Sequence, residues 1–317
     1  MPLFSVIIPL YNKAPYVGKT VESVLGQTLD NYELIIIDNG STDGSSEIVA
    51  GFTDPRIRTI RLDENVGVSN ARNKGVAMAT ATYITFLDAD DWWEPTFLEE
   101  MAGLIERHPD AGIYGTGYYI VKNSKKRLAP VGVGEEFVEG EINYCSVYAR
   151  TLCMPLTSIT IALPKAVFEE NGGFKPHLKL GEDFDLWVRI ALKHKVVFLN
   201  KPLSNYNQDV DVTNRGTHNK RYDPDTFMTF HFDQFAEEET KNHDLKVLLD
   251  KIRAYSLMSF RKYNLFPDKV RQEIRKVDFG NVAPIYRFYY KAPYCVIKPY
   301  LAIVQILSSI KQKIKRR

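Results

Sequence analysis

Four short runs rich in β-branched and apolar residues, at 4–9, 33–38, 57–62 and 83–87, are separated by helix-length segments at 16–27, 45–52 and 68–79. Strands that alternate with helices in this way build a mainly parallel sheet covered on both faces. In an open sheet of that kind, ligands sit beyond the carboxyl ends of the strands. The rule brings three short segments together at one cleft: residues 9–12, 38–43 and 88–91. Past residue 110 the pattern weakens. Residues 111–121 read as a strand and 122–127 as a polar turn. Residues 181–192 place Phe184, Trp187, Val188 and Ala191 at helical spacing behind an acidic start, Glu182 and Asp183. After Tyr222 the chain becomes helical and charged, with helices expected over 235–249 and 251–261.

The cleft segments carry chemistry. Residues 86–91 read Phe-Leu-Asp-Ala-Asp-Asp and place Asp88, Asp90 and Asp91 at a strand exit, although aspartate has poor strand propensity. Crowded carboxylates repel one another unless a cation or several donors compensate them. Mg²⁺ suits such a place, because it takes one or two carboxylates and completes its shell with substrate phosphates. The plainer reading is a turn whose acids cap the helix expected over 96–107, a role that fits Asp91 best. The first strand ends in Ile-Pro-Leu-Tyr-Asn (8–12), where Pro9 lacks an amide donor and Tyr11 offers a ring to stack a flat base. The second ends at Asp38 and Asn39, then turns through Gly40 and Gly44, with Asp43 or Ser45 available as a helix cap. Arg72, in the segment 65–75, is either a bidentate partner for a diphosphate or a solvated helix charge.

Taken in order, S-V-I-I-P-L-Y-N, I-D-N-G-S-T-D-G, N-V-G-V-S-N-A-R-N, F-L-D-A-D-D and the later G-G-F…G-E-D-F-D-L-W-V-R resemble the family 2 glycosyltransferases of the GT-A fold, from residue 4 to about 206. The resemblance implies a Rossmann-like, mostly parallel central sheet flanked by helices. It also implies a nucleotide-diphosphate-sugar donor, Mg²⁺ or Mn²⁺, and inversion at the anomeric carbon. By the same resemblance Pro9, Tyr11, Asp38 and Asn39 surround the nucleoside, Asp88 faces the ribose and metal, and Asp90 is the direct metal ligand. Arg72, from its guanidinium, is a candidate helper at the diphosphate. Asp183 is the base that takes the acceptor hydroxyl's proton, with Glu182 as the second candidate. A domain of this kind is expected over 1–215, its nucleotide-sugar half about 1–110 and its acceptor half about 111–215. A helical extension with a basic amphipathic end follows over 216–317. Two departures stand out. Position 39 is Asn where a second Asp is common, which favours UDP or dTDP over GDP because an amide complements the N3–H and carbonyl of uracil or thymine. A histidine near the diphosphate is also common, yet residues 205–209 contain none, and His218 lies beyond them.

The 317 residues carry a formal charge of +2, unevenly spread. Residues 271–317 hold eleven Lys and Arg against two Asp and Glu, so the preceding part is net acidic. Aromatic and apolar residues beside these cations suit an interfacial helix on anionic lipid; a single terminal patch is thin support for nucleic-acid binding, and none is expected. Three cysteines without a C-x-x-C speak against a disulfide framework or zinc site. Neither a signal peptide nor a spanning helix is apparent, which suggests a cytoplasmic protein or one peripheral to the cytoplasmic membrane face. The acceptor expected of such an enzyme is a saccharide or a lipid-linked saccharide in surface polysaccharide or glycolipid synthesis. The alternatives are a nucleotidyltransferase, for which residues 10–14 lack a glycine-rich basic loop, and a non-catalytic carbohydrate- or membrane-binding relative, against which intact Asp90 and Asp183 speak.

Overall fold

The structure, a computed structural model, describes residues 1–211, 223–293 and 297. They fall into two compact units, Met1–Met228 and a second that begins at Thr229. The boundary expected at residue 215, His218 and the basic stretch 311–317 lie outside the described residues, as does Cys295.

The first unit opens with β1 (Phe4–Leu10), α1 (Ala14–Leu25), β2 (Tyr32–Asp38), α2 (Ser45–Ala50), β3 (Ile57–Arg61), α3 (Val68–Met78) and β4 (Tyr83–Phe86). These four strands are mutually parallel in the order β3-β2-β1-β4. The expected alternation is therefore present, with boundaries displaced by a residue or two. Every residue of β2 is buried, because helices cover both faces of the sheet. On one face Phe4, Val6, Ile8 and Leu10 pack with Val17, Val21 and Val24 of α1. On the other, α3 approaches so closely that a Cβ on Gly75 would stand 2.4 Å from Cγ2 of Ile7. Pro9 sits past the last β1–β4 pair, Ile7–Phe86, where its missing N–H interrupts no ladder on that side.

The chain continues through β5 (Trp92–Trp93), α4 (Phe97–Arg107), β6 (Ala111–Lys122) and β7 (Lys125–Leu128). It goes on through β8 (Glu139–Ile142), α5 (Tyr144–Thr151), β9 (Ile161–Pro164), α6 (Lys165–Glu170), α7 (Glu182–Ala191) and β10 (Lys195–Asn207). The sheet extends as β4-β9-β6-β10-β5, with β9 antiparallel to both of its neighbours and β5 antiparallel to β10. It is thus mostly parallel with antiparallel insertions. The polar turn expected at 122–127 is the β6–β7 hairpin, whose tip residues Asn123 and Ser124 take positive φ of 51° and 57°. Strand β9 escapes sequence reading because four residues, Ile-Ala-Leu-Pro, are too short to show a period.

The second unit is helical among its described residues: α8 (Ala236–Lys241), α9 (His243–Ser256), α10 (Met258–Lys262), α11 (Pro267–Arg275) and α12 (Pro284–Lys291). The helix expected over 235–249 is divided at Asn242, an extended residue whose side chain accepts the Leu245 N–H and so starts α9 afresh. Arg253, 1% exposed, is held there by Glu239 at 2.6 Å. No helix among the described residues is long and apolar enough to cross a membrane.

Gly75 sets how closely the helix bearing Arg72 lies on β1. Gly75→Ala gains about 1 kcal/mol in helix propensity. It also overpacks a β-branched core side chain, at a cost of about 1–3 kcal/mol. The expected net result is a lower urea midpoint with an unchanged m-value, measured by equilibrium unfolding.

Candidate active site

The carboxyl ends of β1, β2 and β4, the start of α3 and the start of α7 supply the residues predicted to act together. The loop after β1 is fastened to the loop after β2: Asn12 N–H and Lys13 N–H donate to the Ser41 and Ser45 hydroxyls at 3.1 and 2.8 Å, and Ala14 N–H donates to Asp43 at 2.9 Å. Tyr11 leaves this loop 42% exposed, as a base platform requires. Asp43 accepts from the Ala14 N–H and from the Ser45 N–H at the start of α2, while Gly44 occupies the N-cap position.

Asp38 and Asn39 lie where expected but with their polar atoms turned inward. Asp38 is fully buried, and its carboxylate accepts from Ser41 N–H at 2.9 Å and from the Ser46 hydroxyl. The Asn39 carbonyl accepts from Val66 N–H and its NH₂ donates to Asn65, each at 2.9 Å. Both side chains therefore hold loop shape. Asn65, Ser41 and Ser46 went unnoticed in the sequence because short polar residues in turns carry no distinguishing pattern.

At the acidic strand exit the three aspartates diverge. Asp88 is paired with Arg72 at 2.7 Å and Asp90 with Lys13 at 2.5 Å. Burial raises Asp90 above the ordinary carboxylate range; Lys13 opposes this and Asp88 adds to it. Asp91 is not the helix cap that its position suggested. Thr96 is the N-cap of α4, and Asp91 is buried, accepting from the Asn207 N–H at 2.7 Å. Burial, then Asp90 and Asp88, push its carboxyl well upward. Asn207 also donates to the Asp90 carbonyl at 3.1 Å, so the end of β10 braces this turn across more than a hundred residues of chain.

Arg72 is no solvated helix charge. It is 4% exposed, and its guanidinium reaches Asp88 at 2.7 Å and Glu182 at 3.2 Å. Phe174 lies against it at 5.2 Å. Its neighbour Asn73 grips Phe174 through both backbone groups, at 2.8 and 3.0 Å, while Arg189 holds the Gly173 carbonyl at 2.7 Å and buried Asp185 at 2.5 Å. The Gly-Gly-Phe segment thus joins α3 to α7. Asp183, in the first turn of α7, is pushed up to about 7 by burial and then by Glu182, against the pull of Arg72. The downward pull of a helix N-terminus is overridden, and buried Asp185 is held by Lys175 and Arg189.

Asp88 and Asp90 stand close enough for one to raise the other, and each is answered by a cation, a pair of oxygen donors that would suit Mg²⁺ or Mn²⁺. Among the described residues no group of three or more His, Cys, Asp or Glu side chains could hold a metal ion.

Comparison with known proteins gives the family. The family described as glycosyl transferase family 2 matches residues 5–144, and that described as glycosyl transferase family group 2 matches residues 83–246. The putative teichuronic acid biosynthesis glycosyltransferase TuaG of Bacillus subtilis is 30% identical over 211 residues, 65% of this chain and 79% of that protein. The chain belongs to the family 2 glycosyltransferases. Glycosyltransferase GlyA of Streptococcus pneumoniae is 32% identical over 210 residues, 64% of this chain, which spans only 30% of that longer protein. The S. aureus TarS 1–349 structure in complex with UDP-GlcNAc superposes with a TM-score of 0.70 at 20% identity, covering 87% of this chain and 79% of that one. The GT-A fold expected from the motifs is the fold observed.

A carboxyl raised in the folded state binds its proton more tightly there than when unfolded. Asp183 therefore costs stability increasingly as pH rises from about 4, the unfolded value, to about 7, its folded value. Asp183→Asn is expected to melt higher than wild type at pH 8, with the gap narrowing toward pH 5, in thermal unfolding followed by circular dichroism.

Proposed function

We propose that this chain is an inverting glycosyltransferase that moves a sugar from a nucleotide-diphosphate-sugar, UDP or dTDP favoured, to a hydroxyl of a saccharide or lipid-linked saccharide in surface polysaccharide or glycolipid synthesis. The observation that carries this reading is Asp183. It is a carboxylate raised to about 7, and its neighbour Glu182 shares Arg72 with Asp88 at the acidic strand exit, where the donor's diphosphate would lie. A general base works best when its pKa lies near the working pH, and this one does.

The acceptor oxygen attacks the anomeric carbon, and its proton passes to an Asp183 oxygen. The bond from that carbon to the diphosphate breaks, and its electron pair leaves on the phosphate. Mg²⁺ or Mn²⁺ held by Asp90, with Asp88 in support, would supply charge stabilisation for that leaving group. Arg72 keeps Asp88 and Glu182 in place and limits the repulsion that Asp183 feels. Tyr11 stacks the base, and the loops held by Asp38 and Asn39 close around it. The names of TuaG, linked to teichuronic acid, and of the TarS complex, which contains UDP-GlcNAc, support a polymer acceptor and a uridine donor.

A panel of nucleotide-sugars with Mn²⁺ is expected to show turnover with uridine or thymidine donors and none with a nucleoside triphosphate. The reverse pattern would favour a nucleotidyltransferase. Asp183→Asn is expected to lower transfer by about 10²–10⁴-fold, the usual contribution of a general base. UDP affinity should be unchanged by calorimetry, and substantial transfer by that variant would refute the assignment. Because the base must be unprotonated, kcat/KM in wild type should fall as pH drops through about 7.

A further inference from the structure

We propose that Lys13 exchanges between Asp90 and the donor's diphosphate: its ammonium neutralises Asp90 until a divalent ion takes that carboxylate, and then moves to the incoming phosphates. The proposal rests on the reading of Asp90 as metal ligand.

The Lys13 Nζ stands 2.5 Å from Asp90 Oδ2, and the two side chains are only 14% and 18% exposed. A largely desolvated pair of this kind interacts more strongly than one at the surface. Its position is built in. The Lys13 backbone N–H is tied to the Ser45 hydroxyl at 2.8 Å, and the residues on either side are tied to Ser41 and Asp43. The root of the side chain is thus fixed to both loops that frame the donor site, while four flexible methylene groups let the ammonium reach more than one position. Asp90 is fixed as well, since its carbonyl accepts from Asn207 and the adjacent Asp91 from the Asn207 N–H.

A divalent ion on Asp90 competes with this ammonium for the same oxygen and repels it. A diphosphate bound to the same ion is an anion within a side chain's reach of the displaced cation. Lys13 therefore weakens metal binding in the absence of donor and strengthens donor binding once metal is present. A purely structural lysine would not couple the two in opposite directions.

Mn²⁺ binding to the full chain can be measured by electron paramagnetic resonance without donor, and UDP binding by calorimetry at saturating Mn²⁺. Lys13→Met is expected to bind Mn²⁺ about tenfold more tightly and UDP about tenfold more weakly, shifts typical of one partly buried charge. Lys13→Arg, which keeps the cation, should remain near wild type in both. Unchanged or weaker Mn²⁺ binding by Lys13→Met, or unchanged UDP binding, would overturn the exchange. Asp90→Asn separates the two levels of the argument. Loss of Mn²⁺ binding in that variant leaves the exchange to be decided by Lys13→Met, whereas retained binding removes the metal-site reading and the exchange together.

Discussion

Negative charge crowded at one sheet edge, away from bulk water, is the constraint around which this site is organised. Asp88, Asp90, Asp91, Glu182 and Asp183 all feel one another or a shared cation. Such a group survives only if each member finds an answer to its charge. The answers differ: Arg72 for Asp88 and Glu182, Lys13 for Asp90, and upward-shifted carboxyls for Asp91 and Asp183. Division of labour among like residues follows from this difference in surroundings.

The same charges tie the two parts of the first unit together. Arg72 on α3 spans from the end of β4 to the start of α7, and Asn73 beside it grips the Gly-Gly-Phe segment. Asn207 at the end of β10 braces the turn after β4. Asp88 at the sheet edge and Glu182, the residue before Asp183, are thereby held in one network through Arg72.

The helices and strands of the first 90 residues were legible because both faces of the sheet are covered, so apolar runs and helical stretches alternate without interruption. The long helix expected over 235–249 failed at Asn242, where a local cap competes successfully with continuation. Strand β9 failed for want of length. Asp91 was misjudged as a cap because the nearest sequence feature, the helix that follows, is not what it contacts; its partner lies at Asn207.

The sequence by itself determined the order of strands and helices, the gathering of acidic residues at the strand ends and the motif set of a GT-A glycosyltransferase. These features depend on local periodicity and on topology rules that act along the chain. Tertiary structure alone decided which aspartate is paired, which is raised, and that Asp38 and Asn39 face their own loops. It also decided that Lys13, an unremarkable lysine before a helix, stands on Asp90. Each of those outcomes depends on distances between residues far apart in sequence and on how much water the packing leaves around them. Electrostatic energies respond steeply to both.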